Sequence, residues 1–520
     1  MAPRHRWVES FFFLAALFIL FFFSSHQLFY DPGTFWHTVT GDQLRQNGLI
    51  RSDPFTYTQQ GQAWIPHQWL AEVIMSYAHQ RMGLDGLLWL TLLLLSSLFA
   101  FLAGRLSMAG CHPLLIALIL ALTYGAMCYH FHARPHLVSM LFLGFIYALL
   151  VDVEAERKTL SSLWLLLPLY ALWVNLHGGV LGGMFSFGLV GLGWGVYWLF
   201  GWRSPLHCAH DVGMLVIIGL LAAAMVMVNP YGLDMIRMWY EILRQDLPTI
   251  ISEHRPLDWT EPEGIMVLSM GGLHMLLLLG TWGHKPRVSW LVPLVWFGLA
   301  MMRVRNGPLF AVVATIAWAD LLPHTRWMRW LARRSDLILI PGIPPPKGTT
   351  PWDPQAPTSV LARLVPHVWL LLLPLPWLVP DLLLGRLLID RNHWPLALLD
   401  SLRKECQREG TVLFNEDLYG GFVVYFVPGQ KIFIDDRCEL HGKNLLMDYV
   451  DAFRHQEHVA EWMDKWEKQY GINLALVHSN STFAKHFLSR NDWHVIATTQ
   501  AELPEKQVTL FRRDVQNKPQ

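Results

Sequence analysis

The chain has 520 residues, 53% of them hydrophobic and 15% charged, where soluble domains carry about a quarter charged. Forty basic residues balance forty acidic ones, which removes a global field for nucleic acid or an acidic partner. Five Cys over this length exclude a disulfide-built scaffold, and the apolar excess excludes intrinsic disorder. The composition is that of a polytopic membrane protein with room for one soluble domain.

In chain order, about eleven apolar stretches have the length of a membrane-crossing helix. They lie near 8–28, 86–107, 112–130, 135–152, 161–176, 179–200, 212–229, 264–282, 288–303, 308–322 and 366–386. The first follows Arg4, His5 and Arg6 and runs on through Phe11 to Phe23. The next residues, SSHQLFYD, hold no small-residue cleavage site, so the segment reads as an uncleaved anchor. With Arg4 and Arg6 inside, Arg105, Arg157, Lys158, Arg203, Lys285, Arg287, Arg326, Arg329, Arg333 and Arg334 also fall inside. The N-terminus is then cytoplasmic and the C-terminus extracytoplasmic, as in a bacterial inner-membrane protein with a periplasmic domain.

Two pieces lie outside the bilayer. Residues 29–85 form a long first outer loop within a transmembrane domain 1–386, and 387–520 form a soluble domain. In that domain TVLFN, GFVVYFV, KIFID, NLALVH and QVTLFRR read as strands, and 444–470 as helix. The proline-rich segment 335–365 reads as an inner linker. The fold class is therefore a multi-pass α-helical membrane protein with a small C-terminal α/β extracytoplasmic domain.

The unusual polar residues gather at the outer ends of the spans. The first loop holds Asp31, His37, Asp42, Asp53 and His67. HFHARPH supplies His130, His132, Arg134 and His136, and NLHGG supplies Asn175 and His177. NPYG with the following loop gives Asn229, Tyr231, Glu253, His254 and Arg255, and the ninth stretch ends in Arg303, Arg305 and Asn306. Ionisable groups at membrane depth are costly and mark functional pathways. Each His taken singly also suits an interfacial hydrogen-bonded residue, and each Arg a snorkelling one. Together they define a polar cavity on one face. Arg134, Arg303 and Arg305 stand there against the positive-inside bias, as residues that hold a phosphate would.

YDPGTFWHTVTGDQLRQNGLIRSDPFTYTQQG resembles the first outer loop of GT-C glycosyltransferases, above all oligosaccharyltransferase catalytic subunits and related bacterial GT-C-like membrane proteins. Asp31-Pro32 matches the first Asp-Pro of that loop, and Asp53-Pro54-Phe55-Thr56-Tyr57 with Gly61 the second. Asn415 to Gly421, followed by Ile434-Asp435-Asp436-Arg437, is similar to the region that opens their extracytoplasmic domain, without its two tryptophans. The resemblance implies a GT-C-like bundle that moves a sugar from a polyprenyl-phosphate-linked donor to an acceptor at the extracytoplasmic face. It implies Asp31, with His37 and Asp53, as catalytic residues, and Asp417 and Tyr419 on the acceptor side. Arg134, Arg303 and Arg305 would bind the donor phosphate, and His67, His130, His132, His136, His177 and Glu253 would line the cavity.

Asp31 reads as general base or metal ligand. Asp53 reads as a ligand or as a turn residue, since Asp-Pro is a common turn former. A divalent metal, Mg²⁺ or Mn²⁺, would rest on Asp31 and Asp53. Gly420-Gly421 reads as a strand-edge turn, and Cys406 and Cys438 are open to a disulfide or to free thiols. The alternative is a catalytically inactive GT-C-like scaffold in a larger membrane complex, because position 33 is Gly rather than an acid. A transporter would need paired half-helices in two symmetric halves, which the sequence lacks.

Overall fold

The computed structural model describes residues 7–244, 254–281, 283, 285–335, 365–500 and 506–514. Among them, six helices are long and apolar enough to cross a membrane: Leu84–Met108, His136–Glu154, Val180–Leu199, Ala209–Met227, Pro262–Leu279 and Val304–His324. Shorter apolar helices, Val8–Ser24, Pro113–Gly125, Leu160–Leu176, Val288–Met302 and Trp369–Leu378, lie at the other expected stretches. Pro113, Pro262 and Pro308 sit in first turns, where a helix loses no hydrogen bond to proline. The linker at 336–364 lies outside the described residues.

Leu84–Met108 and Val304–His324 form the centre of the bundle, 72% and 83% buried, whereas Ala209–Met227 is only 22% buried. The uncovered helix faces carry Leu118, Leu192, Leu199 and Leu220. Water would not tolerate so continuous an apolar exterior, and lipid would. The chain is an α-helical membrane protein. At the end of the bundle that holds Arg105, the basic flanks are tied down. Arg105 makes two bonds to Asp152 (2.8 and 2.6 Å), and Arg157 reaches both Asp152 (2.8 Å) and Asp320 (2.6 Å). Arg287 also closes on Asp320, joining spans distant in sequence.

The C-terminal region holds a four-stranded sheet of order β1-β2-β4-β3, with β1 Leu413–Asn415, β2 Leu474–His478, β3 Trp493–Thr498 and β4 Val508–Arg513. β1 runs parallel to β2, with Phe414 opposite Ala475, and the other pairs are antiparallel, with Leu476 opposite Leu510. Three of the expected strands form in this sheet. GFVVYFV instead belongs to the helix Asp417–Phe426, and KIFID contributes only a bridge between Ile432 and Thr56. The helical region is two helices, Cys438–Arg454 and Val459–Tyr470. All five cysteines are free, Cys406 and Cys438 among them.

The first loop and this domain share one hydrophobic core. Phe35, Trp36, Phe55 and Trp64 of the loop pack with Trp394, Leu413, Tyr419, Phe422 and Leu510. Backbone bonds reinforce the junction, Tyr57 N–H donating to the Ile432 carbonyl (3.1 Å) and Ile432 N–H to that of Phe55 (3.1 Å).

Candidate functional site

Asp31 lies just beyond the first span, before the loop helix Gly33–Asn47. The domain grips its neighbours one after another. The Trp394 indole donates to the Phe29 carbonyl (2.8 Å), and His393 stacks on Tyr30 at 4.3 Å. Gly421 comes so close to the Pro32 carbonyl that a Cβ there would lie 2.1 Å from the oxygen. Gly420 is equally confined, its Cβ position 2.4 Å from the Ile434 carbonyl oxygen. The glycine pair is thus the contact surface of a helix, and not a strand-edge turn.

The HFHARPH turn meets Asp31 from the other side. Ala133 N–H donates to the Leu28 carbonyl (2.8 Å), which brings Arg134 alongside. Arg134 Nη1 donates to Asp31 Oδ2 at 2.9 Å and stands 3.6 Å from Asp436 Oδ2. Asp31 Oδ1 accepts the Gly33 N–H (2.7 Å), and Asp436 Oδ1 accepts the Trp36 indole (2.6 Å). Two carboxylates from opposite ends of the chain therefore share one guanidinium. A side chain at position 33 would collide with it, a Cβ falling 2.7 Å from Arg134 Nε. Burial pushes the Asp436 carboxyl up to about 8, with Arg134 pulling it down and Asp31 and Asp435 adding to the rise.

His37 bonds Glu72. It is fully buried and shares a 2.7 Å hydrogen bond between Nδ1 and Glu72 Oε1, on the helix Trp69–Met82. Neither His37 Nε2 nor Glu72 Oε2 has a partner among the described residues. Burial drives the imidazole well below its ordinary value, and the nearby charges of Arg134, His67, His177 and His136 act the same way. Burial drives the Glu72 carboxyl well above its own, with Arg437 pulling it down.

The histidines cluster on this side. His130 and His136 rings lie 4.5 Å apart, His130 and His132 6.0 Å, and His136 and His177 6.5 Å. His136 Nε2 donates to the His130 carbonyl (2.8 Å). His177 Nδ1 accepts from Gly179 N–H (2.9 Å) and from Ser139 Oγ (2.7 Å), whose oxygen receives the Trp173 indole (2.9 Å). Two donors on Nδ1 leave the proton on Nε2. His67 approaches the same turn, 3.8 Å from the Cβ position of Gly178.

The remaining candidates make other contacts. Asp53 caps its own turn, accepting from Thr56 N–H (2.8 Å), and pairs with Arg437 (2.8 Å) where both side chains are fully buried. Arg437 also binds Asp435 (2.6 Å), which meets His441 (2.9 Å), and its guanidinium lies over Trp64, Phe55 and Trp36 at 4.6, 5.0 and 5.5 Å. Burial would raise the Asp435 carboxyl, but Arg437 and His441 hold it below the usual range. Arg305 donates to His254 Nε2 (2.8 Å), and Arg303 is exposed. Asp417 is exposed and bonds the Tyr449 hydroxyl (3.0 Å), whereas Tyr419 is buried in the shared core. Glu253 lies outside the described residues.

A Mg²⁺ or Mn²⁺ ion needs several oxygen ligands around one point. Among the described residues, no three His, Cys, Asp or Glu ligand atoms within 4.8 Å of one another include Asp31 or Asp53. Those two carboxylates are engaged by different arginines, Arg134 and Arg437. The described residues of this centre do not make a holder for such an ion. Glu72 and Ser139 were not singled out from the sequence, and Asp436 entered only as part of the Ile434-Asp435-Asp436-Arg437 run, with no role of its own.

No family model matches the sequence, and no curated protein matches it significantly. In structure the chain is similar to solved oligosaccharyltransferases. Those of Archaeoglobus fulgidus include an apo crystal structure (10% identity, 90% of this chain and 69% of that one, TM-score 0.48). A second, tethered by a disulfide to an acceptor peptide containing an NVT sequon, matches with 11% identity, the same coverage and TM-score 0.47. The third is the same organism's AglB with an inhibitory peptide and a dolichol-phosphate, at 10% identity, 90% and 69% coverage and TM-score 0.46.

Proposed function

We propose that this protein is an integral-membrane glycosyltransferase that moves a sugar from a polyprenyl-phosphate-linked donor to an acceptor at the extracytoplasmic face. The observation that carries the reading is the Asp31–Arg134–Asp436 centre, where the first loop, the bundle and the C-terminal domain meet. In such a transfer the departing lipid phosphate is already an anion, so the site has to position the acceptor and take its proton. Asp436, pushed up to about 8, is matched to exchange a proton near neutral pH, and Asp31 holds the acceptor in line. Arg303 and Arg305 bind the donor phosphate bidentately, with Arg134 in support. The histidines furnish a polar wall.

The shared core of loop and C-terminal domain supports the topology, since both must then lie on one side with an even number of crossings between them. The positive-inside bias makes that side periplasmic. One observation favours the scaffold reading: Arg134 already stands between the two acidic side chains, in space that Gly33 leaves open. Turnover separates the two. In proteoliposomes given polyprenyl-phosphate and polyprenyl-diphosphate sugars, Asp31→Asn is expected to abolish transfer without changing the melting temperature. Undiminished turnover by that variant would overturn the assignment.

A further inference from the structure

Asp451, His455 and His458 lie at the corner between the helices Cys438–Arg454 and Val459–Tyr470. We propose that they form a binding site for a divalent transition metal of the Zn²⁺ class, a role independent of the transferase reading. His455 ends the first helix and His458 precedes the second, so both imidazoles come from one short turn. Backbone bonds fix that turn, His455 N–H donating to the Asp451 carbonyl (2.9 Å) and His458 N–H to that of His455 (3.0 Å).

The three ligand atoms lie within 4.8 Å of one another. His458 Nδ1 is 3.0 Å from Asp451 Oδ1 and Oδ2, and His455 Nδ1 is 3.8 Å from Oδ1. Donors at about 2.0–2.1 Å from a tetrahedral Zn²⁺ stand about 3.3 Å apart, between these two spacings. The longer distance exceeds a hydrogen bond, so His455 Nδ1 is not tied to that carboxylate by one. The Trp462 indole donates to Asp451 Oδ2 at 2.7 Å, the outer-shell bond that orients a ligating carboxylate. Both imidazoles are 47% exposed, which leaves an open path for the ion and room for water as the fourth ligand. Two imidazoles and one carboxylate select Zn²⁺, Ni²⁺ or Cu²⁺ over Mg²⁺ or Ca²⁺. By contrast, Asp211 in the grouping Cys208, His210 and Asp211 is spent on capping its helix, accepting the His207 N–H at 2.8 Å.

The test uses the full-length detergent-purified protein and ZnCl₂. After equilibrium dialysis, elemental analysis is expected to find one more bound Zn²⁺ per chain in the wild type than in H455Q/H458Q. Equal stoichiometries would overturn the proposal. A second measurement needs no variant: Zn²⁺ should protect His455 and His458 of the wild type from carbethoxylation, read by peptide mass spectrometry. Unchanged modification of both residues at saturating Zn²⁺ would overturn it equally.

Discussion

Arg134 and Asp31 lie 103 residues apart in the chain and meet at 2.9 Å, with Gly33 supplying the space between them. The pair fastens the first loop to the bundle, and Asp436 adds the C-terminal domain to the same guanidinium.

Two glycines test this close approach in different ways. Gly33→Ala places its methyl against the Arg134 side chain, which can swing away, so the ion pair is lost at little cost in stability. Gly421→Ala meets the Pro32 carbonyl, which cannot move freely, and should cost about 1–3 kcal/mol. Thermal melts should rank Gly421→Ala well below Gly33→Ala, while both lose more than about tenfold in transfer.

Asp436 makes stability depend on pH. Its folded carboxyl is raised to about 8, whereas unfolded Asp titrates near 3.9, so between these values the folded state binds the extra proton. Its contribution is fully present below the unfolded value and is lost as pH rises through about 8. Asp436→Asn keeps an acceptor for the Trp36 indole and cannot titrate. Melting temperatures measured between about pH 5 and 9 should fall for the wild type relative to this variant as pH rises.

Arg437 is the buried cation that joins loop to domain. Arg437→Met leaves Asp53 and Asp435 without their counter-charge and should cost about 3–5 kcal/mol, read from denaturant unfolding. Limited proteolysis should then cut the loop near Asp53 sooner than in the wild type.

Burial opposes the charged form of both Glu72 and His37, so a hydrogen bond rather than an ion pair is expected to hold them. Glu72→Gln retains a hydrogen-bonding group and should stay within about 1 kcal/mol of the wild type. Glu72→Ala strands the imidazole and should cost about 1–3 kcal/mol. Equal losses for the two variants in denaturant unfolding would contradict this expectation.

The apolar stretches were legible because a lipid-facing helix must be apolar over a fixed length, and helices lie at each of them. GFVVYFV was misread because a run buried on nearly every side shows no period. Gly420 and Gly421, which weaken a helix, are there for close approach to Ile434 and Pro32. β3 was missed as an edge strand with polar and exposed positions. At the site, Asp31 and Arg134 were legible as misplaced charges, but their bond was not, since nothing local links residues 103 apart. Asp436 was hidden for the same reason: its partner lies in the bundle. His37 was expected to act with Asp31, but Glu72 of the next helix engages its ring.

The central claim is most directly tested by native mass spectrometry of the detergent-purified protein with extraction of whatever lipid remains bound. A polyprenyl phosphate or diphosphate, with or without its sugar, is expected at one per chain and should be lost on changing Arg303 and Arg305 together. Bulk phospholipid alone, in a protein that arrives with stoichiometric partner subunits, would contradict the transferase.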